Sequence, residues 1–148
     1  MVSRISIQAD DFDVSMEIDA LTAGSGDVGA VASFVGLVRD EKKSLSSMTL
    51  EHYPGMTEKA IGEIISEAGK RWSLLGARVI HRIGNLLPGD RIVLVAVSSA
   101  HRGDAFAACE FIMDFLKTRA PFWKREDTAQ GARWVDARDS DDEAASRW

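Results

Sequence analysis

Apolar and polar positions alternate, then switch to helical spacing, several times along the chain. Ile5 and Ile7 alternate with polar neighbours and predict a short first strand. Asp10 to Asp13 supplies N-cap chemistry for a helix over roughly Val14 to Leu21. After the Gly24-Ser25-Gly26-Asp27 turn, Val28 to Val38 is almost wholly apolar, which predicts a strand buried on both faces. It ends at Arg39-Asp40, and Glu41 to Ser47 reads as a polar, mobile loop. Met48 to Tyr53 resumes as a strand closed by Pro54-Gly55.

Thr57 is the expected N-cap of a helix running to about Trp72. Its apolar stripe is Ala60, Ile61, Ile64, Ile65, Ala68 and Trp72, with Glu58, Lys59, Glu63, Glu67 and Lys70 on other faces. Val79 to Ile83 and Arg91 to Ser98 are predicted strands on either side of the turn Leu87-Pro88-Gly89-Asp90. The next helix starts around His101 to Asp104 and carries the stripe Ala105, Ala108, Cys109, Ile112, Phe115 and Leu116. A second line down this helix, Phe106, Glu110, Met113 and Lys117, puts Met113 one turn below Lys117. Pro121 lacks an amide donor and pushes Ala120 off helical angles, so the helix should stop near Arg119. Phe122 to Glu126 and Arg133 to Ala137 flank Asp127 to Gly131 as a hairpin, and Asp139 to Trp148 closes the chain as a frayed or short helical tail. With no repeat and no linker, residues 1–148 read as one α+β domain with a mixed or antiparallel sheet and a C-terminal hairpin.

Composition narrows the class. A chain of 148 residues with 45% hydrophobic content can bury a sizeable core. A net charge of −5 argues against broad nucleic-acid or anionic-membrane binding. No apolar run is long enough to span a bilayer, and the first residues lack a signal-peptide core. The lone Cys109 excludes an internal disulfide and makes a reducing cytoplasm the expected location. His52, His81 and His101 are scattered with no Cys/His cluster beside them, so neither a zinc site nor another cofactor is expected.

Within this acidic chain, Met113 to Arg125 gathers four basic residues, Lys117, Arg119, Lys124 and Arg125, and no acid after Asp114. Lys117 is placed in a last helical turn and Lys124 on the strand that follows. Along that strand Phe122, Lys124 and Glu126 point one way, Trp123 and Arg125 the other. Two ammonium groups brought close favour the neutral amine of one, which can act as base or nucleophile while the charged one holds an anion. Last-turn cations also stabilise a helix C-terminus without any chemistry, and whether the two lysines meet is a tertiary question. His101-Arg102 opens a helix directly after a strand, where unpaired amides suit a phosphate or carboxylate. Arg39 ends the apolar strand that contains Phe34.

The segments EHYPGMTEKA, VIHRIG, SAHR, MDFLKTRAPFWKRE and RWVDARDSD closely resemble the large, catalytic subunit of molybdopterin synthase. The resemblance covers roughly Val28 to Trp148 and leaves the first twenty-odd residues and the Glu41 to Ser47 loop unmatched. It implies an α/β-hammerhead type of fold and insertion of the dithiolene sulfurs into cyclic pyranopterin monophosphate. The sulfur is expected from a thiocarboxylate on the C-terminal glycine of a small ubiquitin-like partner, whose tail threads into a pocket of the large subunit. A central homodimer with one small subunit at each end is the implied assembly. The family's two essential lysines match Lys117 and Lys124. Its anion-binding residues match Arg39, His101, Arg102 and Arg138, and its apolar pocket lining matches Phe34 and Met113. Two other classes compete: a scaffold that grips an acidic peptide tail without chemistry, and a phosphate-ester enzyme built on His101 and Arg102. The second is weakened by the absence of a metal cluster, a phosphate-binding glycine loop or a nucleophile motif.

Overall fold

The computed structural model describes residues 1–24, 26–135 and 139–148. In chain order the elements are β1 (Val2–Gln8), α1 (Val14–Thr22), β2 (Ala30–Leu37), β3 (Leu45–His52), α2 (Met56–Arg71), β4 (Gly76–Arg82), β5 (Gly84–Leu86), β6 (Arg91–Ser99), α3 (Arg102–Leu116), β7 (Phe122–Thr128), β8 (Gly131–Val135) and α4 (Asp139–Ala145). The strands form two four-stranded sheets, ordered β1-β4-β6-β2 and β5-β3-β7-β8. Among the described residues only the β1–β4 pairing is parallel; the first sheet is mixed and the second antiparallel. The α+β class expected from the pattern is the class observed.

Side-chain alternation divides the first sheet between two cores. Val93, Val95 and Val97 of β6, with Ala77 and Val79 of β4, pack against the apolar stripes of α2 and α3. Leu94 and Ala96, with Ile80, face the other way onto Phe12 and the residues of α1. β6 is therefore the strand buried on both faces. The expectation that placed Val28 to Val38 in that role is corrected. β2 starts at Ala30 and lies at the sheet edge, with Phe34 41% and Leu37 55% exposed. Its Phe34 and Leu37 line a cleft, while Ala32 joins the core under α2 and α3.

The helix stripes are buried as their spacing predicts: Ile61, Ile64, Ile65 and Ala68 on α2, and all six expected positions plus Phe111 on α3. The start of α2 differs. Gly55 is the N-cap at φ 84°, a left-handed angle that favours glycine, and its amide donates to the Glu58 carboxylate at 3.1 Å. Thr57 lies inside the first turn and is fully buried. α3 ends at Leu116 with Lys117 as its C-cap, although the Arg119 amide still donates to the Phe115 carbonyl at 2.8 Å. The Glu41 to Ser47 stretch is shorter as a loop than expected. The Asp40 carboxylate accepts the amides of Ser44 and Leu45 at 3.0 and 3.1 Å, and β3 begins at Leu45.

The short strand β5, hidden in the sequence by its length, pairs with Met48 to Leu50 of β3. The hairpin is tighter than predicted, because Asp127 and Thr128 pair with Ala132 and Gly131 instead of forming a loop. The predicted end of its second strand at Asp136 and Ala137 lies outside the described residues. Of the two readings of the tail the short helix is observed, as α4, and the chain end is anchored. The Trp148 ring meets Trp72 and Phe111 edge-on at 5.5 and 5.7 Å, and its indole N–H donates to Asp114 at 2.7 Å. No described helix is long and apolar enough to cross a membrane.

Candidate active site

A cleft of about 1030 Å³ opens between the two sheets. β7 forms much of one wall. Its alternation sends Phe122, Lys124, Glu126 and Thr128 toward the cleft, while Trp123 is 47% exposed on the opposite side. The C-terminal end of α3 contributes Met113, Leu116 and Lys117. β2 and the loop after it bring Phe34, Gly36, Leu37 and Arg39, and β3 adds Met48 and Leu50. Lys117 and Lys124, on different elements, therefore line the same space.

The polypeptide between those lysines is tied down from below. Thr57 donates its hydroxyl hydrogen to the Pro121 carbonyl at 2.9 Å and accepts the Tyr53 amide at 2.9 Å. Thr57 was expected as a cap; its observed role is to fix the turn that separates the two amines.

The cleft mixes charges. Lys117, Lys124, Arg39, Lys42 and Arg133 line it together with Asp40, Glu41, Glu126 and Asp141. Several of the acids are engaged. Glu41 pairs with Arg39 at 3.2 Å, Glu126 with Arg133 at 3.4 Å, and Asp40 holds the loop amides. Loop residues Glu41, Lys42 and Ser44, which the family motifs left without a role, are part of the wall.

His81 is a site residue that the sequence reading did not select. It ends the inward-facing series Ala77, Val79, His81 on β4 and lines the cleft that Met113 and Lys117 also line. Its ring stacks on Phe122 at 3.8 Å and 18°. Nδ1 lies 2.8 Å from the Arg82 carbonyl oxygen. Burial holds its pKa down to about 4, the positive charges of Lys117 and His52 push the same way, and the Arg82 carbonyl opposes them. A polar residue continuing a buried apolar series at a strand end was the available signal.

Of the expected anion-binding residues, Arg39 lines the cleft and His101 and Arg102 do not. His101 is the N-cap of α3 and Arg102 its first residue, both exposed. The helix has 15 residues, so they stand about 20 Å along its axis from Lys117. Arg138 lies outside the described residues. Cys109 is 6% exposed, its Sγ 3.7 Å from the Val95 carbonyl, and burial pushes its thiol up to about 11.

The cleft can thus hold an extended or anionic ligand against two amines, with a neutral imidazole and apolar side chains, Phe34 and Met113 among them, at its wall. The family described as MoaE protein matches residues 7–119. The molybdopterin synthase catalytic subunit of Ralstonia nicotianae is 62% identical over 146 residues, covering 97% of this chain and 83% of the relative. That of Vibrio cholerae is 59% identical over 150 residues, covering 100% of this chain and 99% of the relative. Among solved structures, the molybdopterin biosynthesis MoaE protein of Burkholderia ambifaria superposes with a TM-score of 0.86 at 56% identity, covering 100% of this chain and 98% of that one. With a family match across most of its length, relatives of this identity and a shared fold, the chain belongs to the MoaE family, the catalytic subunits of molybdopterin synthase.

Proposed function

We propose that this cleft transfers sulfur from the C-terminal thiocarboxylate of a small ubiquitin-like subunit into cyclic pyranopterin monophosphate, making the molybdopterin dithiolene. The observation that carries this reading is that Lys117 and Lys124 line one cleft. Substrate phosphate and donor thiocarboxylate are both anions, and cationic side chains gathered at a recess attract them locally although the chain is acidic overall. In each transfer the thiocarboxylate sulfur bonds to an electrophilic pterin side-chain carbon and one carbon–oxygen bond at that carbon breaks, its oxygen leaving as a phosphate-ester oxygen or as water. Water then cleaves the acyl–sulfur bond, leaving the sulfur on the pterin and the partner's tail as a carboxylate. Protons must move at both stages. Lys117, at the helix end, is assigned to that proton exchange. Lys124 is assigned to substrate orientation and to stabilising developing negative charge. Arg39 binds anionic groups at the rim, and Phe34 and Met113 pack against the apolar parts of the ligands.

His101, Arg102 and Arg138 are assigned to phosphate binding. For His101 and Arg102 the length of α3 makes this possible only if a second copy of the chain brings its own α3 N-terminus to this cleft, which fits a central homodimer carrying one small subunit at each end. The single buried thiol suits a reducing cytoplasm. The deciding experiment combines purified protein, thiocarboxylated partner and pyranopterin substrate, and measures dithiolene product. Product formation supports the enzyme. Partner binding with no product would leave the chain a scaffold.

A further inference from the structure

Gly36 is a glycine that its own backbone does not require. It lies within β2 at an ordinary strand angle, not a left-handed one, and a glycine inside a strand marks a close approach of something else. We propose that Gly36 is a positioning residue that sets the width of the cleft: its bare Cα seats the Phe34 ring and so leaves passage for the partner's extended tail. This rests on the sulfur-transfer reading for the identity of the ligand, but not for the seat itself.

Three observations carry it. Phe34 pairs with Val95 and Gly36 with Val93, so the four share one face of the first sheet, and Phe34, Gly36 and Val93 all line the cleft. A methyl group at position 36 would stand 2.7 Å from Val93 Cγ1 and 3.3 Å from Phe34 Cε1. Residues two apart on a strand are separated by about 6.6 Å, so a ring edge this close leans along β2 and rests over Gly36 instead of standing across the cleft. The two neighbours also differ in freedom: Val93 is 4% exposed and belongs to the core under α2 and α3, whereas Phe34 is 41% exposed. A methyl at position 36 is wedged against a stiff, packed valine, and the group free to yield is the ring, outward into the cleft. A tail that ends in glycine presents almost no side chain, and what it needs from this wall is clearance.

The test is a double-mutant cycle in the full assay with thiocarboxylated partner and pyranopterin. Gly36→Ala should raise KM for the partner about tenfold, the scale of one methylene forced into a packed site, and leave kcat and the pyranopterin KM within about twofold. Because the effect runs through the ring, Gly36→Ala should add less than about twofold when Phe34→Ala is already present. Val93→Ala, which clears the other side of the methyl, should return the partner KM of Gly36→Ala toward the wild-type value. An unchanged partner KM in folded Gly36→Ala overturns the proposal. So does an equal rise in the Phe34→Ala background, which would leave Gly36 a packing residue of the edge strand, and so does a rise confined to the pyranopterin KM. Should Gly36→Ala fail to fold, NMR of the wild type decides: a nuclear Overhauser contact between the Phe34 ring and the Gly36 Hα protons supports the seat, and its absence overturns it. That measurement needs neither partner nor substrate, so a wild type that shows the contact but makes no dithiolene sinks the sulfur-transfer reading and leaves the seat standing.

Discussion

The buried Thr57 hydroxyl donates to the Pro121 carbonyl at 2.9 Å, joining the first turn of α2 to the bend between Lys117 and Lys124. Removing it strands two backbone groups, the Pro121 carbonyl and the Tyr53 amide. Thr57→Val, nearly equal in volume, should lose about 1–3 kcal/mol of stability in urea unfolding. It should also lower kcat with the fold intact, because the bend sets the spacing of the amines. Full activity in the folded variant would show that the bend holds without this tie.

Lys117→Ala and Lys124→Ala should each reduce turnover by at least about a hundredfold, the scale of a positioned proton-transfer or charge-stabilising group. Neither residue belongs to a core cluster, so both variants should melt near the wild type. Turnover near wild type in both would remove the lysines from the mechanism.

Arg102→Ala should raise the apparent substrate constant and leave partner binding mostly intact. Because Arg102 and Lys117 occupy opposite ends of α3, mixing Arg102→Ala with Lys117→Ala under conditions of subunit exchange should restore part of the lost activity. One cleft of each mixed dimer then combines two intact residues. No restoration despite proven exchange would place Arg102 outside the shared cleft, and loss of the partner alone would move it to the protein interface.

Cys109→Ala should retain most of its activity with pre-thiocarboxylated partner as the sole sulfur source, and lose about 1 kcal/mol of stability. The thiol is buried on the α3 stripe and held protonated by burial, the form that neither attacks nor carries sulfur. Abolished product in a folded variant would make it a relay.

Acid should destabilise the fold partly through His81. Its folded pKa of about 4 lies below the ordinary 6.5, so between those values the unfolded chain binds the extra proton and stability falls as pH falls. Above about pH 6.5 both states are neutral and the effect vanishes; near pH 4 it reaches about 3 kcal/mol. His81→Phe should lose correspondingly less stability between pH 7.5 and 4.5 than the wild type in paired urea titrations. Equal losses would show that His81 titrates normally.

Periodicity alone determined the two long helices, because the stripes Ile61 to Ala68 and Ala105 to Leu116 repeat at helical spacing and bury as a unit. It also determined the hairpin and, through the alternation of β7, that Phe122, Lys124 and Glu126 share a face. The long motif around Lys117 pointed to the right family. Only the tertiary structure decided that β2 is an edge and β6 an interior strand, since an apolar run does not say whether it faces a core or a cleft. The predicted helix already set His101 and Arg102 a helix length from Lys117; only the structure showed that they do not line the cleft with it. And only it showed that His81, at the end of β4, lines the same cleft as Lys117. A histidine's proton, unlike a helix, is set by what surrounds it rather than by what precedes it.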